Sequence, residues 1–241
     1  MALFIMDVCD VTFKRKSDGH VVFTSEAQTS SVSQTVDEEA IRGGIGSRTI
    51  YTIKSNKEME LTVVNATFDL EWLAMTQGVK VEKGQTATVK GKMEAVVSDE
   101  GTVDLPEDAL LGNDIYVLNN IRESFKADVD EGATSITVPS DVAEPGDNVQ
   151  VIYEKEVEGN RVVLRSDTFA EKYEVQYMTY IYESETEARQ GTLYITFNEV
   201  TPSSAFEMSL SNGTAYTPEL TFTASANADG QIGEYFTTDE K

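Results

Sequence analysis

Residues able to carry chemistry are scarce in this chain. His20 is its one histidine and Cys9 its one cysteine in 241 residues. A single Cys excludes an intrachain disulfide, and no Cys or His cluster can hold a metal. A Ser-His-Asp arrangement would have to use His20, which falls in a turn and reads as solvated. Cys9 reads as a small buried hydrophobe rather than a reactive thiol. Carboxylates are so numerous, with 42 Asp and Glu, that no particular acid/base pair stands out. Asp128, Asp130 and Glu131 suggest a calcium loop, but the twelve-position spacing, with its central Gly and closing Glu, is not met. Arg42-Gly43-Gly44-Ile45-Gly46 has the look of a phosphate cradle. It lacks the Lys-Ser/Thr ending and a following helix, so a positive-φ turn entering a strand accounts for it better. These residues predict no enzyme, no cofactor and no metal.

The charge that is present is distributed unevenly. Residues 1–95 carry 11 Lys and Arg against 13 Asp and Glu, a net of −2, and residues 96–241 carry 8 against 29, a net of −21. Together these make the formal charge of −23. Such a field excludes phosphate-backbone binding, since Lys14-Arg15-Lys16 is an isolated basic cluster in a hairpin. It suits keeping a polyanion from sticking, and it equally suits solubility alone.

The elements that must position these residues read as strands. Hydrophobic residues make up 40% of the chain, enough for a core, and apolar–polar alternation dominates. The N-terminal apolar run Ala2–Met6 is short and interrupted by Asp7 and Asp10, so it reads as a first strand rather than a signal peptide. No stretch approaches a membrane span. Sequons at Asn65 and Asn212 read as chance matches. Val21 and Phe23 follow a Ser17-Asp18-Gly19 turn, which predicts an opening hairpin. Thr24–Thr35 is polar and reads as an exposed loop or an edge strand. Thr49–Ile53 and Met59–Val64 read as a strand pair joined by the loop Ser55–Glu58. Phe68–Gly78 is the one clear helix: Asp69 is its N-cap, Leu70, Leu73 and Ala74 share a face, Trp72 packs at its edge, and Gly78 is its C-cap. Strands resume at Val79–Val81 and Thr86–Met93. Leu118–Phe125 reads as one or two helical turns, followed by an acidic turn at Asp128–Glu131. Ser135–Pro139, Asn148–Tyr153, Glu174–Tyr182 and Thr192–Phe197 read as strands. Phe206, Met208 and Leu210 alternate as a further strand, and Leu220, Phe222 and Ala224 as the last, before a polar tail from Asn227. The sum is mainly β: an antiparallel β-sandwich or barrel with one short flanking α-helix.

Two blocks of this pattern resemble a known family. Asp37–Gly78, with Ile41-Arg42-Gly43-Gly44-Ile45-Gly46 leading into strand, hairpin, strand and short helix, is similar to the N-terminal half of phage major tail proteins. These are the tail tube proteins of long-tailed phages of Gram-positive hosts. Gly191–Gly230, with its Pro-Ser-Ser turn and TPELTFTASANADGQIG, resembles the closing strands of that family. The resemblance implies a single tail-tube-like domain over 1–241, with the unmatched stretch at about 96–173 as an acidic insertion or lobe or simply as long loops. It implies a structural virion protein whose subunits form hexameric rings that stack into a hollow tube, through which DNA passes to the host without specific binding. The implied partners are other copies, the tape measure and distal tail proteins, and no membrane. The implied location is the virion tail, after assembly in the host bacterial cytoplasm. The acids would then face a lumen and repel the genome, or coat the outside. Arg42, with Gly43, Gly44, Ile45, Gly46 and Arg48, is the expected subunit contact, since an Arg in so acidic a protein has many carboxylates to meet.

The alternatives are a carbohydrate- or receptor-binding β-sandwich using Tyr177, Tyr180 and Tyr182, or another virion component such as a tail terminator or decoration protein.

Overall fold

A computed structural model describes residues 3–111, 113–121, 123–130, 132–184 and 188–239. The elements in chain order are β1 (Leu3–Phe4), β2 (Asp10–Arg15), β3 (Val21–Thr24), β4 (Ala27–Gly43), β5 (Arg48–Asn65), α1 (Leu70–Gln77), β6 (Glu82–Val96), β7 (Thr102–Asp104), β8 (Ile115–Leu118), β9 (Ser124–Ala127), β10 (Ser135–Thr137), β11 (Asn148–Arg161), β12 (Tyr173–Glu183), β13 (Arg189–Pro202), β14 (Glu219–Ala224) and β15 (Gly233–Asp239). The chain is mainly β, its strand pairs are antiparallel, and α1 is the one helix among the described residues. It divides into two compact units, residues 1–81 with 162–241, and residues 82–161.

The first unit is one sheet in the order β3-β2-β12-β13-β14-β5-β4, with β1 beside β12 and β15 beside β13. Two strands separate β2 from β14, so a flat sheet would hold them about 14 Å apart. Yet the rings of Phe13 and Phe222 stack with centroids 5.0 Å apart. The sheet therefore folds over on itself with its apolar faces inward. The period of two supplies that core: Val11 and Phe13, Leu61 and Val63, Val175 and Tyr177, Leu220 and Phe222 are all buried. Helix α1 covers part of this core. Asp69 accepts a hydrogen bond from the Glu71 N–H, and Gly78, at φ 64°, ends the helix. The Val79 N–H reaches back to the Ala74 carbonyl, the wrap that a left-handed terminal residue permits. The buried face centres on Trp72 and Met75, with Leu70 and Leu73 half-buried. Trp72 meets Phe13 edge-on at 5.8 Å, so it sits in the middle of the contact rather than at its edge.

The second unit joins a four-stranded sheet, β6-β11-β8-β9, to the pair β7–β10. Val103 and Ile136 from the pair share one core with Ile115, Val117, Val149 and Val151 from the larger sheet. Tyr153 lies directly across from Gly91, where an added Cβ would fall 2.6 Å from the ring.

Several expectations need correcting. The described residues of Leu118–Phe125 are not helical: β8 and β9 pair as a hairpin, and the Asn119 carboxamide accepts from the N–H groups of Ile121 and Glu123. That local side-chain bond competes with a helical turn and wins. Val79–Val81 is not a strand, because Val79 completes the helix cap. The opening hairpin is present, as β2 and β3 pair across the Ser17–Gly19 turn, with Val22 and Thr24 as its buried side and Val21 and Phe23 facing outward. Thr49–Ile53 and Met59–Val64 are one continuous strand, β5, and Ser55–Glu58 is not a loop within it. Phe206–Leu210 has a strand's alternation but no strand partner among the described residues, and lies in an irregular stretch between β13 and β14. The polar tail instead contains β15, paired with β13 from Gly191 to Phe197. Part of the acidic turn, Glu131, lies outside the described residues.

Candidate subunit interface

The expected contact residues come together at the end of a hairpin arm. β4 and β5 pair from Ala27–Asn65 out to Gly43–Arg48. The near half of β5 is held by the core through Met59, Leu61 and Val63. The far half is held by nothing beneath it: every residue from Asp37 to Arg42, and all but Thr52 from Ser47 to Glu58, is exposed. At strand rise, the stretch Asp37–Gly43 reaches about 23 Å.

The boundary between the halves is built into the backbone. Thr35 pairs with Glu58 and Asp37 with Ser55, so Val36 alone opposes Asn56 and Lys57. Asn56 takes φ 48°, a left-handed conformation that Asn tolerates better than most residues. Its side chain donates to Asp37 Oδ2 at 2.9 Å. This β-bulge bends the ribbon where it leaves the sheet. A second shift lies between Ile41 and Arg42. Gly44 (φ 78°), Gly46 (φ 88°) and Ser47 (φ 51°) then form the tip, closed by the Ser47 N–H on the Gly44 carbonyl. Two glycines in three residues are required because this turn needs positive φ.

Directly opposed residues of an antiparallel pair share a face. Ile41 opposes Tyr51, and Glu39 opposes Ile53, so Ile41, Tyr51 and Ile53 make an apolar stripe on one side of the arm. They are 46%, 65% and 40% exposed. The other side carries the Lys54–Glu38 ion pair at 3.0 Å. Arg42 and Arg48 flank the tip, exposed, and neither has an ion pair among the described residues. Ile45 stands fully in solvent between them. A two-stranded ribbon is marginal alone in water, and this one leaves its apolar stripe uncovered.

The edge-strand reading of Thr24–Thr35 holds for its larger part, from Ala27 onward, whereas the edge at β15 was not read from the sequence. β4 is an end strand of the sheet, and from Ala27 to Val36 its outer side is unpaired among the described residues. That stretch has no charge and no proline, the two devices that usually guard an edge. The run of Ser, Thr and Gln was the available signal. β15, which pairs only with β13 among the described residues, is a further open edge, with Tyr235 and Phe236 exposed.

The tyrosines do not form an open platform. Tyr177 is buried, Arg189 lies 3.8 Å over the Tyr180 ring, and Tyr182 packs beside Phe4 and donates to Asp7 Oδ2. Among the described residues no group of His, Cys, Asp and Glu is placed to hold a metal ion. No helix among them is long and apolar enough to cross a membrane.

The described residues make the chain a mainly β protein with an exposed hairpin arm and open sheet edges, and that is the class the fold defines. Comparison with known proteins makes that class specific: the YomU/Tube protein family matches residues 3–238, and the chain belongs to this family. It is 43% identical over 230 residues to the tail tube protein of Bacillus phage SPR, covering 95% of this chain and 86% of that protein. It is 35% identical over 231 residues to the SPbeta prophage-derived uncharacterized protein YomU of Bacillus subtilis (strain 168), covering 96% and 85%. The resemblance read from the two sequence blocks therefore holds over nearly the whole chain, and the chain is a structural phage tail protein.

Proposed function

We propose that this chain is the subunit of a hollow tail tube: copies close into hexameric rings, and the rings stack. The observation that carries this reading is the β4–β5 arm, whose apolar stripe is exposed and whose Arg42 and Arg48 have no ion pair among the described residues. The arm bridges to a second copy, and the uncharged edge of β4 offers backbone pairing to another. Tape measure and distal tail proteins are the partners inside the tube and at its end. The role is structural rather than catalytic, the place is the virion tail, and assembly occurs in the host bacterial cytoplasm.

The genome passes without specific binding. A wall built of subunits carrying a net charge of −23 each repels phosphates instead of retaining them. The compact unit at residues 82–161 is a lobe inserted into the tube domain between α1 and β12. Negative-stain electron microscopy of the purified protein at low and moderate salt tests the proposal. Rings or hollow tubes are expected, and a monodisperse monomer under every condition would count against it.

A further inference from the structure

Two segments of the first unit are left incomplete within one chain. The first is the outer edge of β4 at Ala27–Val36. Beside it opens a pocket of about 400 Å³, lined by the N-terminal segment Ile5–Cys9 together with Val32, Tyr177 and Ile195. The Tyr177 hydroxyl, at this pocket, is buried with no hydrogen-bond partner among the described residues. The pocket rim is apolar and exposed: Ile5 is 51%, Met6 56% and Val8 44% accessible. The second is the stretch between β13 and β14. Phe206, Met208 and Leu210 keep a strand's period of two, yet pair with no strand among the described residues, and Leu210 is 76% exposed. This stretch stands over an open space of about 760 Å³ lined by its own residues, Phe206 and Tyr216 among them.

Charge matches these two segments to each other. Met208–Pro218, eleven residues, and Ala27–Val36, ten residues, are the two longest runs without a charged residue in the chain. Two copies at −23 each repel wherever their carboxylates approach, and like charges placed opposite each other on paired strands are destabilising. The uncharged segments are where two copies can come into backbone contact without that repulsion. One segment supplies a free strand edge beside an apolar pocket, and the other supplies an unpaired strand with alternating apolar side chains.

We propose that the uncharged stretch Met208–Ser211 of one copy adds as a strand to the free edge of β4 in a second copy, with Met208 and Leu210 entering the pocket bounded by Ile5, Val8, Cys9 and Val32 and Phe206 lying just ahead of it. Main-chain hydrogen bonds give the attachment, and the alternating side chains select the register. This deepens the tube reading and rests on it.

Cys9, the chain's one cysteine, sits in the pocket and serves as a built-in reporter. The variants Phe206→Cys, Met208→Cys and Leu210→Cys are each assembled and treated with a bismaleimide. At least one should give a ladder of covalent dimers and higher species, which disappears when Cys9→Ser is added. Ile45→Cys, at the arm tip, should give no ladder with Cys9. Leu210→Asp, which puts a charge into the gap, should raise the concentration needed for assembly at least about tenfold while leaving thermal unfolding unchanged. Tubes that form with none of the three cross-linking, or a ladder that survives Cys9→Ser, would overturn this inference alone. Wild-type protein that stays monomeric at every salt concentration would overturn the tube reading and this inference with it.

Discussion

Arg15 shows how single residues hold this fold together. It is buried, donates from Nε to the Tyr173 hydroxyl at 3.2 Å, and donates from its terminal nitrogen to Asp18 at 3.2 Å. Asp18 also receives Lys80 Nζ at 2.6 Å and the His20 N–H at 3.0 Å. The Lys80 ammonium first, then the His20 N–H, hold the Asp18 carboxyl well below the ordinary carboxylate range. A carboxyl depressed in the folded state binds fewer protons there than when unfolded. Its stabilisation is present above about pH 4 and fades as pH falls below that. Asp18→Asn should therefore flatten the acid limb of unfolding temperature against pH. A limb as steep as wild type would show that Asp108, Asp114 and Glu199, also held low by lysine partners, carry the effect instead. Gly78 makes a second residue-scale prediction. It sits at φ 64°, and a Cβ there would fall 1.8 Å from the Phe169 carbonyl oxygen. Gly78→Ala combines a left-handed backbone cost of about 1–2 kcal/mol with that clash, and should lower the melting temperature by several degrees in calorimetry.

At the scale of elements, the arm and the core separate cleanly. The core half of β5 buries Met59, Leu61 and Val63, whereas the arm half buries nothing within the chain. Tyr51→Asp on the apolar stripe should leave the melting temperature within about 1 °C of wild type, as surface changes away from structural features do. It should nonetheless abolish assembly in size-exclusion chromatography. A large fall in melting temperature would mean that the arm supports its own subunit. Arg42→Glu should weaken assembly by about tenfold in concentration, the equivalent of ~1.4 kcal/mol, with circular dichroism unchanged. Unchanged assembly would remove Arg42 from the contact. Asn56 belongs to this scale as well, since its left-handed turn and its bond to Asp37 set the bend of the whole ribbon.

For the whole molecule, charge opposes assembly. Each copy carries −23, and the Debye length is about 10 Å at 0.1 M salt. Raising salt from a few millimolar to 0.2 M should lower the protein concentration at which light scattering by assemblies appears. A threshold that rises with salt would mean that Arg42 and Arg48, meeting carboxylates, outweigh the general repulsion. The two compact units each have their own core, one built on Phe13, Phe197 and Phe222 and the other on Ile115, Val117 and Val151. A domain with its own apolar core can in principle fold alone, so calorimetry has two transitions to resolve.

The sequence by itself determined what depends on neighbours a few residues apart. The period of two put Leu220, Phe222 and Ala224 on one face of the last strand, and that face is buried. Asp69 and Gly78 bounded the helix within one residue, because a cap is a local hydrogen-bond problem. Lone His20 and Cys9 spoke against metal and thiol chemistry before any fold was known. The family, too, was legible, since turn glycines and caps leave residues of fixed type at fixed spacing. Tertiary structure decided whatever depends on which partner a segment finds. Phe206–Leu210 alternates like a strand and pairs with no strand among the described residues, while Gly233–Asp239 is polar and pairs with β13. Alternation describes a side chain's face, not whether a sheet edge is free to receive the backbone. Leu118–Phe125 turns on Asn119, whose carboxamide bonds overrode a helical reading. The arm is the clearest case: Arg42 to Arg48 read as a turn entering a strand, but only the pairing of Asp37–Gly43 with Arg48–Ser55 showed that this turn is carried beyond the core. Solvent exposure is a property of the packed chain, and no local pattern encodes it.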